Sequence, residues 1–275
     1  LNLYEREALT FSKFIWSPNT WSADPKELLK VITSELKELG VEILLNTRVI
    51  VNKGQTLIDN KNKLYNYDYL INAAGAYSLK LAKDMGIDNN YVLLPFRGMY
   101  LKSNKALDNF RSHIYPVPNI KQPFLGIHTT LTHDGFIKLG PTAFPAFSPE
   151  NYKLLEGLDF NFLPEILINQ IKLFIGNSFG YRDLAFQELN NLFKRNIISS
   201  AQKLTKFKFK ENQFNWYTPG IRAQLFNKKT GKLEMDFVNV FKNNQYHILN
   251  SISPAWTCSL KTAEYIINEI IYSSK

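Results

Sequence analysis

The sequence predicts a mixed α/β (α+β) fold in which an antiparallel sheet with helices interrupts a second layer. Three observations predict it. The apolar and aromatic run Leu64–Ile71 ends in small residues, Asn72-Ala-Ala-Gly-Ala-Tyr-Ser78, after which Leu79, Leu81, Ala82 and Met85 recur at helical spacing. From Tyr91 the pattern changes to short strands and proline-rich turns. The chain then closes on a hairpin pattern and a helix with Leu260, Ala263, Ile266, Ile267, Ile270 and Ile271 on its apolar side. A strand that ends in small residues and opens a helix brings bare N–H groups to the carboxyl edge of a sheet, where α/β proteins hold nucleotide cofactors. Taken alone, such a turn is more often close helix–strand packing. Residues 1–90 and 245–275 therefore read as parts of a nucleotide-binding layer, with 91–244 inserted.

In chain order, Phe11–Trp16 reads as a short strand and Ser17–Asp24 as a polar turn. Asp24-Pro25 is a helix start, a capping carboxylate followed by proline at the first helical position. Leu28, Leu29, Ile32, Leu36 and Leu39 make the apolar stripe, and Gly40 ends the helix. Val41–Leu45 and Val49–Val51 read as strands, and Gly54–Asp59 with Lys63–Ile71 as a small antiparallel excursion. Tyr91–Leu101 is one strand with Pro95 at an edge or bulge. His113–Pro118, Phe124–Thr129 and Phe136–Gly140 follow at hairpin spacing, with Asp134-Gly135 as a turn. Residues 151–200 are helical in character, notably Leu163–Ile175 and Tyr181–Phe193. Strands are expected around Phe207–Phe209, over Trp216–Leu225, and as a hairpin of Phe237–Phe241 and Tyr246–Leu249.

Composition narrows the function classes. The 275 residues hold a single cysteine, Cys258, which excludes an internal disulfide and fits a reducing, cytoplasmic compartment. No apolar run approaches the roughly 20 residues that span a bilayer, and Tyr4-Glu-Arg-Glu7 is no signal-peptide pattern. The net charge of +9 is mostly lysine. Its densest cluster, Lys203-Leu-Thr-Lys-Phe-Lys-Phe-Lys210, alternates like a strand with one wet face. No nucleic-acid motif accompanies it, so peripheral contact with acidic lipids at the inner face of a membrane is the stronger partner reading, and a general lysine excess the plainest. The four histidines and one cysteine show no metal-ligand spacing. The chain starts at Leu1 in mid-pattern and reads as a fragment.

Several segments in order carry a resemblance: Asn72–Ser78, Leu94-Pro-Phe-Arg-Gly-Met-Tyr100, Tyr115-Pro-Val-Pro-Asn119, Gly126-Ile-His128, Asp134-Gly135, Gly220-Ile-Arg-Ala-Gln224 and Ser253-Pro-Ala-Trp-Thr257. Together they resemble the FAD-dependent L-2-hydroxyglutarate oxidase/dehydrogenase family, within the D-amino-acid-oxidase-like flavoproteins. Each motif is loose, and their ordered combination is specific. The family opens with a strand, a Gly-x-Gly-x-x-Gly turn and a helix that cradle the FAD pyrophosphate. No such turn occurs in this sequence, so roughly the first third of the family pattern is missing. Trp21 also stands where the family has a glycine, which leaves any contact made there open.

The resemblance implies residues 1–90 as a partial FAD-binding domain, 91–244 as a substrate domain and 245–275 as the FAD-binding return. Oxidising a 2-hydroxy acid needs a cation for the carboxylate, a base for the hydroxyl proton and a flavin for the α-hydride. Arg222 is the best carboxylate clamp, since a guanidinium matches a carboxylate bidentately. Arg97 competes evenly between that role and a structural one. His128 is the expected base, although a lone strand histidine is more often a satisfied core residue. Tyr100 and Tyr115 are expected to line the substrate pocket, against a packing role for any single tyrosine. Val49 corresponds to the adenine-side strand, and Ala73, Ala74, Gly75 and Gly220 to cofactor contacts. Ser253, Pro254, Ala255 and Thr257 precede the last helix, whose N-terminus would face the flavin, unless Thr257 or Ser259 simply caps it. His133 reads as solvent-exposed, and nothing promotes His113 or His247. The rival readings are amine oxidation of glycine or sarcosine type, and a non-catalytic remnant or one piece of a split enzyme that pairs with a separate N-terminal FAD-binding piece.

Overall fold

The structure, a computed structural model, describes residues 4–10, 13–51, 56–87, 90–117, 124, 126–153 and 156–273. Its elements begin with α1 (Pro25–Glu38), β1 (Val49–Val51), β2 (Thr56–Asp59), β3 (Leu64–Asn66), β4 (Leu70–Asn72), α2 (Ser78–Asp84) and β5 (Tyr91–Ser103). There follow β6 (His128–Leu131), β7 (Ile137–Gly140), β8 (Phe144–Pro145), α3 (Leu163–Gly176), α4 (Tyr181–Asn190) and α5 (Lys194–Gln202). The chain closes with β9 (Phe214–Asn227), β10 (Lys232–Leu233), β11 (Val238–Lys242), β12 (Gln245–Asn250) and α6 (Ser259–Ser273). Two compact units result. Unit 1 comprises Leu1–Leu44, Arg97–Phe144 and Phe179–Gly220, and unit 2 comprises Leu45–Phe96, Pro145–Ser178 and Ile221–Lys275. The boundaries fall inside β5 and β9. No helix among the described residues is long and apolar enough to cross a membrane.

In unit 1, α1 starts as its sequence dictates: the Asp24 carboxylate accepts from the Lys26 N–H at 2.9 Å, and Pro25 fills the first turn. It ends on Gly40 at φ 80°, where the Val41 N–H donates to the Leu36 carbonyl. β6 and β7 form an antiparallel hairpin about Gly135, and β7 pairs β5 at Leu101–Leu139 and Lys102–Lys138. One sheet face is a core of Leu101, Ile137, Leu139 and Phe214 closed by Ile197, Ile198 and Ala201 of α5. The opposite face carries Tyr100, Lys102 and Lys138, none of them in that core. Buried Glu5 anchors the N-terminal segment by accepting from the Arg111 and Ser112 N–H groups and from the Ser112 hydroxyl.

In unit 2, β1, β2 and β3 form an antiparallel sheet in that order. Buried Asp59 shapes it, accepting from the Lys61 and Lys63 N–H groups and the Tyr65 hydroxyl, bonds that hold its carboxyl below the usual range. A second sheet runs β11-β12-β4, with β12 antiparallel to β11 and parallel to β4. Asn243 and Asn244 make the β11–β12 turn at φ 52° and 59°, a conformation asparagine tolerates. Each parallel strand feeds a helix, β4 into α2 and β12 into α6. Leu79 and Ala82 of α2 pack with Leu93, Leu225 and Leu249, while Tyr246, Ile266 and Ile270 join β12 to α6.

Several strand expectations need correction. His113–Pro118 makes only an isolated bridge of Ile114 to Thr129 among the described residues, and the strand expected over Phe124–Thr129 begins at His128. Residues 13–17 are irregular, with the Trp16 ring stacked on Tyr4 at 4.9 Å and no strand paired to them among the described residues; Phe11 and Ser12 lie outside the described residues. Val41–Leu45 is exposed and forms no ladder among the described residues, running into a turn at Asn46. Lys63–Ile71 is two strands in two different sheets, broken after Asn66. Lys203–Lys210 keeps its alternation, with Thr205 and Phe209 buried and Lys206, Lys208 and Lys210 exposed, yet only an isolated bridge at Thr205 to Ala8 replaces a ladder. The Gly54, Pro118–Asn119 and Leu125 portions of the expected strands and motifs lie outside the described residues.

Candidate functional site

Unit 2 presents the edge that the small-residue turn announces. β4 and β12 run parallel, so Ala73–Gly75 and Ser251–Thr257 leave the same carboxyl edge, where open α/β sheets bind ligands. Ala73, Ala74 and Gly75 are exposed, and Gly75 stands at φ 57° with open space where a side chain would be. Ser253, Pro254 and Thr257 are exposed and Ala255 half-buried. The Thr257 hydroxyl donates to the Pro254 carbonyl at 2.9 Å, so it shapes this turn rather than capping α6. Val49 is exposed on β1 and pairs with Asp59. Arg222 is half-buried on β9, and burial lowers its pKa. Its neighbour Ala223 points into the cluster with Leu79 and Leu249, so the pleat turns the guanidinium the other way. This edge fits part of a dinucleotide, a flat ring system against small residues and open backbone. A phosphate cradle is not among its residues, because no glycine-x-glycine pair occurs in the sequence.

Beneath that edge lies a network that the sequence did not reveal. Asn72, 2% exposed, donates from Nδ2 to the Ser78 carbonyl (2.9 Å) and to Nδ1 of His247 (3.0 Å). Its Oδ1 accepts from the Ala74 N–H at 3.3 Å. His247 Nε2 donates to Gln245 Oε1 at 3.3 Å, and Gln245 donates on to the Tyr67 hydroxyl at 2.9 Å. His247 is therefore the Nε2–H tautomer with both nitrogens used, and burial pushes it toward the neutral form. The local signal was weak, since Asn72 and His247 meet only across 175 residues of chain.

Unit 1 brings Tyr100, Tyr115 and His128 together. The Tyr115 and His128 rings stand 4.4 Å apart, and burial, with a smaller part from neighbouring Tyr115, raises the Tyr100 pKa. His128, 8% exposed, donates from Nδ1 to the Gly126 carbonyl at 3.0 Å. That bond leaves the Nε2 lone pair without a partner among the described residues. Burial pushes His128 down, the Gly126 carbonyl pulls it back, and neighbouring His113 adds a smaller push down. The ring is neutral at pH 7, with the geometry of a proton acceptor. His113 is saturated differently: its Nδ1 accepts from the Leu131 N–H at 3.0 Å and its Nε2 lies 3.4 Å from the Ser22 hydroxyl. His133 is exposed, as expected, and lies 3.6 Å from the Asp24 carboxylate.

Arg97 sits apart from that group on the pleat. Its neighbour Gly98 faces Pro141 and Tyr100, so Arg97 turns to the opposite side, 5% exposed, with its guanidinium 5.6 Å from the Phe144 ring. Its Nε has no hydrogen-bond partner among the described residues, and burial lowers its pKa. Glu188 of α4 stiffens the same corner. Its buried carboxylate accepts from the Ala143 N–H at 2.7 Å, and burial raises its pKa. The Thr142 hydroxyl next to it donates to the Arg97 carbonyl at 3.4 Å and accepts from the Met99 N–H at 3.0 Å. Gly220 is exposed, with open space beside it.

With this geometry in view, residues 2–177 match the model of a family described as FAD dependent oxidoreductase. An L-2-hydroxyglutarate dehydrogenase from Indibacter alkaliphilus is 32% identical over 88% of this chain and 61% of its own length. The protein of the same name from Escherichia coli K12 is 26% identical over 98% of this chain and 64% of its own length. The chain thus spans about three fifths of the length of these relatives. Among solved structures, glycine oxidase from Bacillus cereus superposes with a TM-score of 0.53 at 12% identity, over 89% of this chain and 55% of the oxidase. An FAD-bound L-alpha-glycerophosphate oxidase from Mycoplasma pneumoniae gives 0.53 at 18% identity, over 88% and 53%. At such identities these two structures speak for the fold alone.

Proposed function

The chain belongs to the FAD dependent oxidoreductase family, and we propose that it oxidises a small 2-hydroxy acid to the 2-oxo acid, with L-2-hydroxyglutarate as first choice. One observation carries the reading: a neutral, buried histidine whose Nδ1 is fixed on Gly126 and whose Nε2 remains available beside Tyr115. His128 Nε2 takes the hydroxyl proton of the substrate, while the α-hydrogen leaves with its electron pair. FAD, when bound, supplies the acceptor for that hydride. Tyr100 and Tyr115 orient the substrate. Arg222 is assigned to its carboxylate, whereas Arg97, turned to the opposite side of β5 from Tyr100, keeps the structural role. Val49, Ala73, Ala74, Gly75, Gly220, Ser253, Pro254, Ala255 and Thr257 would hold the cofactor, the exposed turns offering backbone N–H groups to it. The relatives carry the name of an L-2-hydroxyglutarate dehydrogenase, which supports the choice of substrate.

A second reading rests on the glycine pattern. With no Gly-x-Gly-x-x-Gly turn in this sequence, the FAD pyrophosphate needs a partner segment, either joined to this chain or encoded separately. The chain by itself is then a weak flavin binder. The exposed lysines Lys203, Lys206, Lys208 and Lys210 of unit 1 support a peripheral contact with acidic lipids, checked by sedimentation with anionic vesicles. The test of the main reading is anaerobic flavin reduction, using this chain together with the glycine-rich segment. L-2-hydroxyglutarate is expected to bleach the flavin, and glycine and sarcosine are not. Bleaching by the amines alone would replace the assignment with an amine oxidation.

A further inference from the structure

We propose that Lys138 recognises a second carboxylate at the far end of the substrate, which makes the open sheet face of unit 1 selective for dicarboxylates. This rests on the reading above and narrows it. Lys138 of β7 stands directly opposite Lys102 of β5 on one side and Thr130 of β6 on the other. Opposed residues share a sheet face, so the two ammonium groups are neighbours of like charge. Of the two, Lys102 forms the ion pair with Asp134, at 2.9 Å. Lys138 forms no ion pair among the described residues. Its Nζ lies 4.5 Å from the centre of the Tyr217 ring and 5.9 Å from that of Tyr100.

Aromatic faces attract a cation but do not neutralise it. Half-buried, Lys138 is pushed toward its neutral form by lost hydration and then by Lys102, with Asp134 pulling back less, and an incoming anion would relieve that cost. The surroundings also point to the ligand. The Tyr100 ring lies within 5.9 Å of the Lys138 ammonium and close enough to Tyr115 to feel its charge, and the Tyr115 ring lies tilted 4.4 Å from His128. His128 pairs with Gly140, two residues along β7 from Lys138, so its side chain lies on the same sheet face. A proton acceptor at one end and a cation with no ion pair among the described residues at the other suit an acid with a second carboxylate beyond its hydroxyl carbon. Lys102 cannot serve in its place while Asp134 holds it, and Asp134 is kept ionised by its bonds to Thr132 and Lys102, with a pKa of about 2.

The test is calorimetric binding to the whole chain of two products of equal oxidation state, 2-oxoglutarate and 2-oxobutyrate, with glycerol 3-phosphate as a third ligand. The wild-type protein should prefer the diacid by about tenfold or more, the size of one charge pair at a partly buried site. K138M should bring the two affinities within about twofold by weakening the diacid alone, and K138R should retain most of the preference. An undiminished preference in K138M, or tighter binding of the phosphate ester than of the diacid, overturns the inference. Failure of the wild-type chain to bind either oxo acid would instead count against the oxidation reading itself and carry this inference with it. Unchanged circular dichroism of both variants separates lost recognition from lost folding.

Discussion

His128 of unit 1 and His247 of unit 2 share most of what a sequence or a burial profile can report. Both lie on strands among apolar neighbours, both are buried, and both are driven toward the neutral form by loss of water. They differ in how their hydrogen bonds are spent. Both nitrogens of His247 are engaged, by Asn72 and Gln245, so the ring is a strut between β4 and β12. His128 uses Nδ1 alone, on a carbonyl two residues away, and keeps Nε2 available beside Tyr115. Burial and a depressed pKa therefore do not distinguish a working histidine from a structural one, whereas the count of satisfied nitrogens does.

That contrast can be broken by substitution. Replacing His128 by alanine should cost about 10²–10⁴-fold in flavin reduction, the range of a general base, while moving the urea midpoint little. The reverse pattern, a large loss of stability with activity kept, would make His128 another strut. Replacing His247 by alanine should cost about 2–4 kcal/mol of folding stability, since it opens a cavity and strands the Asn72 amide. Denaturant titration measures it, and a loss below about 0.5 kcal/mol would remove His247 from the framework.

A gentler probe is pH. Burial favours the neutral form of His113, His128 and His247 in the folded chain, so their folded pKa values lie below the ordinary value of about 6.5. Below that pH the unfolded chain binds more protons than the folded one, and the stability present above it is lost as pH falls. Urea midpoints should drop from pH 7.5 to 5.5, and H247Q should flatten the slope. The smallest effect is expected on the solvent side of the same sheet, at the Lys102–Asp134 pair. D134N should change stability by no more than about 1 kcal/mol, because water reaches both side chains of the pair, 22% and 38% exposed, and urea titration of D134N checks this.

What the sequence could reveal follows the range of the interactions. The start of α1 was legible because the Asp24 carboxylate, Pro25 and the Lys26 N–H are neighbours in the chain. The turn at Asn72–Ser78, the helices at Leu163 and Tyr181 and the terminal helix were legible from short periodic patterns. Val41–Leu45 and Phe207–Phe209 have strand composition but find no partner strand among the described residues, and pairing is decided far along the chain. The same distance hid the split of β3 from β4, whose partners are β2 and β12. At the site, composition pointed to His128 only weakly, and the family resemblance singled it out. The tether on Gly126 and the saturation of His247 required coordinates.

The most direct test is the tautomer and titration of the two rings, read by long-range ¹H–¹⁵N correlation on histidine-labelled protein with and without 2-oxoglutarate. The account predicts His128 protonated at Nδ1 and His247 at Nε2 at pH 7, with the ligand shifting the Nε2 resonance of His128 and leaving His247 unmoved. A His128 carrying its proton on Nε2, or a ligand response at His247 and none at His128, would contradict it.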